Sequence, residues 1–226
     1  QTPFVRLSTG ASGVGVTTSL GLALGLRDYY GAKAPRVNIV EGEGGMTPGR
    51  VAEGLAAAGT ASLDNAILHV DWNQASIDTN RVCRDGDQPG EYVQWTPGEP
   101  AYRHDWNVIE VADGKDIQQV VAAQRRALAL DNGQPTAVVY RTIKGYEYGI
   151  EGRASHGAGH KLCSDAFFEA VKPLDRFVQI DLPRCCDGEL RCGNDDGPEV
   201  MEACFWEALG VVRKALEESP EMVGTL

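Results

Sequence analysis

The 226-residue chain has no run approaching the roughly 20 consecutive apolar residues of a membrane-spanning helix. It also lacks the leader pattern of a secreted protein, and it opens on Gln1 rather than Met, which is the expectation for a processed chain or a fragment. Basic side chains are scarce, with 21 Lys and Arg against 32 Asp and Glu, giving a formal net charge of −11. With a pI near 4.8, nucleic acid and anionic membrane surfaces are poor candidates for the main partner. Histidine is sparse too, and none lies near the one cysteine cluster, Cys185, Cys186 and Cys192. A zinc site normally needs four ligands, often as two C-x-x-C pairs, so the thiols, including Cys83, Cys163 and Cys204, are expected to be reduced in a cytoplasmic protein. The nicotinamide fingerprint is missing as well. Gly13-Val14-Gly15 has no strand before it and no third glycine at the required spacing.

What is present is enough apolar material, 42% of residues, to build a real core. Leu20 and Leu24, then Leu22 and Leu26, pair at i,i+4 spacing and predict a helix over 16–30, closed by Gly31. Val37-Asn38-Ile39-Val40 predicts a buried strand, followed by Gly42-Glu43-Gly44-Gly45 and a helix over 48–58. Further strands are expected at 66–70, 106–111 and 136–143, and a helix over 116–130. Residues 78–102 lack periodicity and read as a long loop. A final helix is expected over about 200–217. Apolar strands alternating with helices indicate an α/β fold, a parallel sheet with helices on both faces. The division expected is a main domain over 1–182 and a linker or docking tail over 183–226.

In open α/β sheets, ligands bind beyond the carboxyl ends of the strands. Two polar segments fall there, Gly42-Glu43-Gly44 after the first strand and Asp71-Trp72-Asn73-Gln74-Ala75-Ser76-Ile77-Asp78 after the second. Adjacent parallel strands bring Glu43 and Asn73 together. A carboxylate, an amide oxygen and a main-chain carbonyl are oxygen ligands that Mg²⁺ or Ca²⁺ accepts, and the glycines let main-chain N–H groups approach a phosphate. Glycine-rich strand-to-helix turns also occur for purely conformational reasons. His69, inside a strand, is expected to be a packing residue.

The ordered set of segments resembles the diphosphate-binding domain of the transketolase family of thiamine-diphosphate enzymes. Gly42-Glu43-Gly44 followed by Asn73 is similar to the family's Gly-Asp-Gly and its Asn about thirty residues on. Thr9-Gly10-Ala11-Ser12-Gly13-Val14-Gly15 is similar to its "T-G-P-L-G-Q-G". Asp105 to Asp116 is similar to "W-x-V-I-x-V-x-D-G-H-D", Arg141 to Gly145 to the approach to "K-T-x-x-G", and Ser155-His156-Gly157-Ala158 to "S-H-G-A". The match runs in order from about residue 7 to about residue 160.

The resemblance implies a thiamine-diphosphate-binding fold with thiamine diphosphate and Mg²⁺ (or Ca²⁺) as cofactors. It implies that Glu43, Asn73 and the carbonyl of Ala75 bind the cation and that Gly44 contacts the diphosphate. Gly10 and Gly13 would lie in the loop against the cofactor, and His156 beside the cofactor at the substrate entrance as the catalytic side chain. It further implies two-carbon ketol transfer between sugar phosphates, an oligomer, and a pyrimidine-binding domain or subunit as partner, since no second α/β domain follows within this sequence. Three departures stand out: Glu43 for the family's Asp, Pro48 for a glutamate, and Ser12 for a leucine. Two other readings share these residues, the decarboxylating component of a 2-oxo acid dehydrogenase and a non-catalytic assembly or regulatory homologue.

Overall fold

The computed structural model describes residues 5–152, 160, 164–172 and 197–218. Among these, 5–144 with 152 form one compact unit, and 145–151 with 160, 164–172 and 197–218 form another. This division follows contacts, whereas the 1–182 and 183–226 division follows sequence pattern.

The first unit is built on four parallel strands, β1 (Val37–Gly42), β2 (Ala66–Trp72), β3 (Asn107–Val111) and β4 (Thr136–Arg141), in the spatial order β1-β2-β4-β3. Helices α1 (Val14–Tyr30), α2 (Gly49–Thr60) and α3 (Gly98–Arg103) lie on one face. There Val16 and Leu20 of α1 and Val51 and Leu55 of α2 pack against Ile39, Leu68, Val70, Ala137 and Val139 of the sheet. Helix α4 (Ile117–Ala129) covers the other face, closing Ala123 and Ala127 over Ile67, Val138 and Val111. Asp116 caps α4 by accepting hydrogen bonds from the N–H groups of Gln118 and Gln119. The N–H of Gly31, at a positive φ of 57°, donates to the Arg27 carbonyl and ends α1.

The expected α/β architecture with helices on both faces is present, and the second face is covered unevenly. Among the described residues of this unit, α4 lies mainly over β3 and β4 and reaches β2 at Ile67, while Val40 on the edge strand β1 is 78% exposed. An apolar run therefore did not mean burial on both faces at this edge.

Two boundaries differ from expectation for physical reasons. β3 begins at Asn107 because Trp106 turns inward, where its indole N–H donates to the Leu55 carbonyl at 2.9 Å beneath α2. The expected loop over 78–102 ends in the short helix α3. The Thr96 N–H donates to the Glu99 carboxylate at 2.7 Å and the Glu99 N–H returns to the Thr96 carbonyl, a first-turn exchange related to a capping box. In the second unit, α5 (Asp165–Val171) and α6 (Gly197–Glu217) are helical, with Ser164 capping α5. Only the latter corresponds to an expected element. No helix among the described residues is long and apolar enough to cross a membrane.

Candidate functional site

The ladder between β1 and β2 sets Gly42 opposite Asp71. The next residues beyond the carboxyl ends of these strands are therefore neighbours. Glu43 opens a tight turn over Glu43–Met46 and is 1% exposed, although it is a carboxylate. Its Oε2 accepts a hydrogen bond from the main-chain N–H of Asn73 at 3.3 Å, and its Oε1 has no hydrogen-bond partner.

Asn73 is held in place by its own side chain. Its Nδ2 donates to Asp71 at 2.8 Å and its Oδ1 accepts from the N–H of Ala75 at 2.8 Å. This is an Asx-type turn. Asp71 also accepts from the Thr142 hydroxyl, which ties the turn to the end of β4. Arg141 donates to the Trp72 carbonyl at 3.2 Å, pairs with Asp85, and stacks its guanidinium 4.6 Å from the Trp72 ring.

The electrostatics follow from this packing. Burial pushes the Glu43 carboxyl from its ordinary 4.5 up to about 7, with the nearby Asp71 charge adding to the rise. Its own N–H and those of Asn73 and Gln74 oppose the shift. Burial, with the Glu43 charge nearby, also pushes the Cys83 thiol up to about 12, so this cysteine stays protonated.

The glycine-rich loop before α1 meets the same turn. Gly13, at φ 73°, lies so close to α2 that an added Cβ would sit 2.6 Å from Val51 and 3.0 Å from the Gly45 carbonyl. Glycine is thus required at 13 by packing and backbone conformation together. At Gly10 and Gly44 an added Cβ would meet nothing, so the main chain there borders open space.

The structure therefore sets the Asn73 main chain against Glu43, joins Ala75 to the Asn73 side chain, and sets the Gly13 loop against the 43–46 turn. His156 lies outside the described residues, as do Cys185, Cys186 and Cys192. His69 is a packing residue, as expected. It is half-buried on the sheet face covered by α4, with Nδ1 2.8 Å from the Tyr140 hydroxyl and Nε2 3.1 Å from Asn38. Burial lowers its pKa. Asp71 and Gln74 were not singled out from the sequence. Asp71 had one usable signal, its place two residues before Asn73 at the end of an apolar strand.

The donor set suits a hard divalent cation. Glu43 offers an unpartnered oxygen, and the Asn73 Oδ1 retains a second lone pair beside the Ala75 N–H it already accepts. Among the described residues no cluster of three His, Cys, Asp or Glu side chains that could hold a metal ion is present, so a cation here would need amide and main-chain oxygens beside its carboxylate ligand.

Comparison with known proteins supplies the family. The model of the transketolase thiamine diphosphate binding domain matches residues 1–167. The chain belongs to that family. It is 31% identical over 178 residues to transketolase-like protein 2 of Mus musculus, covering 79% of this chain and 27% of the relative. Identity to the dihydroxyacetone synthase of Candida boidinii is also 31%, over 165 residues, 68% of this chain and 22% of the relative. Among solved structures, the transketolase from Leishmania mexicana matches with a TM-score of 0.62 at 20% identity, over 97% of this chain and 32% of that one. A transketolase from Pichia stipitis in complex with sedoheptulose 7-phosphate gives a TM-score of 0.63 at 20% identity, with the same two coverages. These likenesses show the fold. The chain spans about a quarter of the length of the curated relatives it matches.

Proposed function

We propose that this transketolase-family chain binds the diphosphate end of thiamine diphosphate through a divalent cation. In this reading it acts with a pyrimidine-binding domain or subunit in two-carbon ketol transfer between sugar phosphates. The observation that carries the proposal is the buried Glu43 carboxylate, one oxygen on the Asn73 N–H and the other without a partner. An acid this buried needs a cation to hold its charge at neutral pH.

Glu43, the Asn73 carboxamide and the Ala75 carbonyl would hold the ion. Mg²⁺ is the ion proposed, and Ca²⁺ the larger substitute for the same oxygens. The main chain at Gly44 and Gly10, open on its Cα side, would admit the diphosphate. Thiamine diphosphate, when bound, supplies the nucleophilic carbon and the electron sink of the reaction. The chain's own residues orient it and screen the ion from water. His156 is assigned to the substrate entrance on the strength of the family resemblance. A cytoplasmic location and an oligomeric assembly belong to the same proposal. The dihydroxyacetone synthase among the relatives favours ketol transfer over oxidative decarboxylation of 2-oxo acids.

Calorimetric titration with Mg²⁺ and thiamine diphosphate, with the pyrimidine-binding partner present, tests the reading. Binding is expected, and Asn73→Ala should weaken it about tenfold or more. No heat with the native protein would reject the cofactor assignment. Ketol transfer on a mixed set of sugar phosphates by the assembled complex is the expected activity.

A further inference from the structure

Between the two residues assigned to the cation, Asn73 and Ala75, stands Gln74, whose backbone φ is +64°. This left-handed conformation comes readily to glycine and to Asn or Asp, and is unfavourable for glutamine. Gln74 is also 8% exposed, unusual for a long amide. Its carboxamide makes two hydrogen bonds with one residue's main chain. Nε2 donates to the Cys83 carbonyl at 2.9 Å, and Oε1 accepts from the Cys83 N–H at 2.9 Å. A side chain thus pairs with the backbone as a neighbouring strand would.

The far side of this clasp is fixed. Val82 and Cys83 are buried, and the N–H groups of Tyr92 and Val93 both donate to the Val82 carbonyl. At Gly90 an added Cβ would lie 2.2 Å from the Val93 carbonyl and 2.6 Å from the Cys83 backbone, so the two passes of the loop are in close contact. The clasp therefore ties residue 74 to a packed body rather than to a loose loop. The left-handed residue lets the chain double back, so that the Ala75 N–H reaches the Asn73 side chain while the Asn73 N–H faces Glu43.

We infer that Gln74 is the positioning residue of the cation turn: its clasp on Cys83 holds the left-handed backbone that sets Asn73 and Ala75 against Glu43. The inference rests on the proposed cation site for its consequence in binding, and on the backbone alone for its geometry. The Gln74 carboxamide is committed to Cys83, so its effect on affinity runs through the backbone of the turn: the Asn73 and Ala75 positions and the Gln74 N–H that also acts on Glu43.

The test compares Gln74→Ala with Gln74→Gly in the full chain, with the folded fraction of each measured by circular dichroism. Both lose the clasp, but only glycine enters the left-handed region without strain. Mg²⁺ affinity in the presence of thiamine diphosphate is expected to fall about tenfold in the alanine variant, and to stay within about threefold of the native protein in the glycine variant. Hydrogen exchange at the Ala75 N–H, measured without any ligand, should speed up in the alanine variant and return toward the native rate with glycine. Equal loss in the two variants, in affinity and in exchange, would overturn the inference and leave Gln74 as a loop anchor only. If the native protein binds no ion, the proposed site fails, while the exchange comparison still decides the role of Gln74. Should the alanine variant not fold, Gln74→Met, which keeps the Cβ and the side-chain volume but loses both hydrogen bonds to Cys83, takes its place: faster Ala75 N–H exchange than in Gln74→Gly supports the assignment, and exchange equal to that of Gln74→Gly refutes it.

Discussion

The main-chain N–H of Asn73 donates to Oε2 of Glu43 at 3.3 Å across thirty residues of sequence, and Oε1 of the same carboxyl has no partner. One oxygen is thus committed to the fold and one is left over for a ligand. That split, and the turns that enforce it, govern how the protein should respond to pH, to metal and to substitution.

Stability of the metal-free protein should depend on the Glu43 proton. Its folded value of about 7 stands above the ordinary 4.5, so the contribution is fully present below pH 4.5 and is lost as pH rises toward 7. The loss amounts to about 3 kcal/mol at most. Denaturant titrations of the native protein and Glu43→Gln across this range should show the stability difference changing with that sign. His69, whose pKa burial lowers, acts in the opposite direction, but it is shared by both proteins and cancels in the difference. A flat difference would place the Glu43 carboxyl in a more polar setting than the one described.

Glu43→Asp shortens the side chain by one carbon–carbon bond, about 1.5 Å. The carboxylate then retreats from the Asn73 N–H, which loses its acceptor. Divalent-cation affinity, read by calorimetry, should weaken about tenfold, with a cost in stability of about 1 kcal/mol. Tighter binding instead would mean that the surrounding turns still suit the family's aspartate.

Gly13→Ala should be poorly tolerated. The substitution puts a Cβ 2.6 Å from Val51 at a φ of 73°, and a cost of about 2–3 kcal/mol follows from the strain and the displaced contact together. Chemical denaturation measures it. An unchanged midpoint would show that the loop before α1 rearranges freely.

Much of this architecture was legible because its signals are local. Val37 to Val40 and Ala66 to Val70 are short apolar runs ending at polar or glycine-rich residues, and their order along the chain brings Glu43 and Asn73 to one sheet end. Trp106 was harder to read, since whether an aromatic residue continues a strand or plugs a helix above it depends on what lies opposite. The six-residue helix α3 is too short to show a period, although Thr96 and Glu99 carry its start signal. Val40 looked like a core residue because an apolar side chain carries no mark of which face a neighbouring helix will cover. The Gln74 clasp on Cys83 was invisible for another reason: two residues nine apart in a stretch without periodicity meet only through the path of the loop between them.

The parallel ladder that pairs Gly42 with Asp71 also acts as a ruler. Slipping β1 by a single position along β2 would turn its side chains to the opposite face of the sheet and carry position 43 about 3.3 Å away from the Asn73 turn. Insertions or deletions within either strand should therefore be far less tolerable than equal changes in the chain between them. The spacing of backbone hydrogen bonds, rather than the identity of any one side chain, calibrates how far apart the two halves of the site stand.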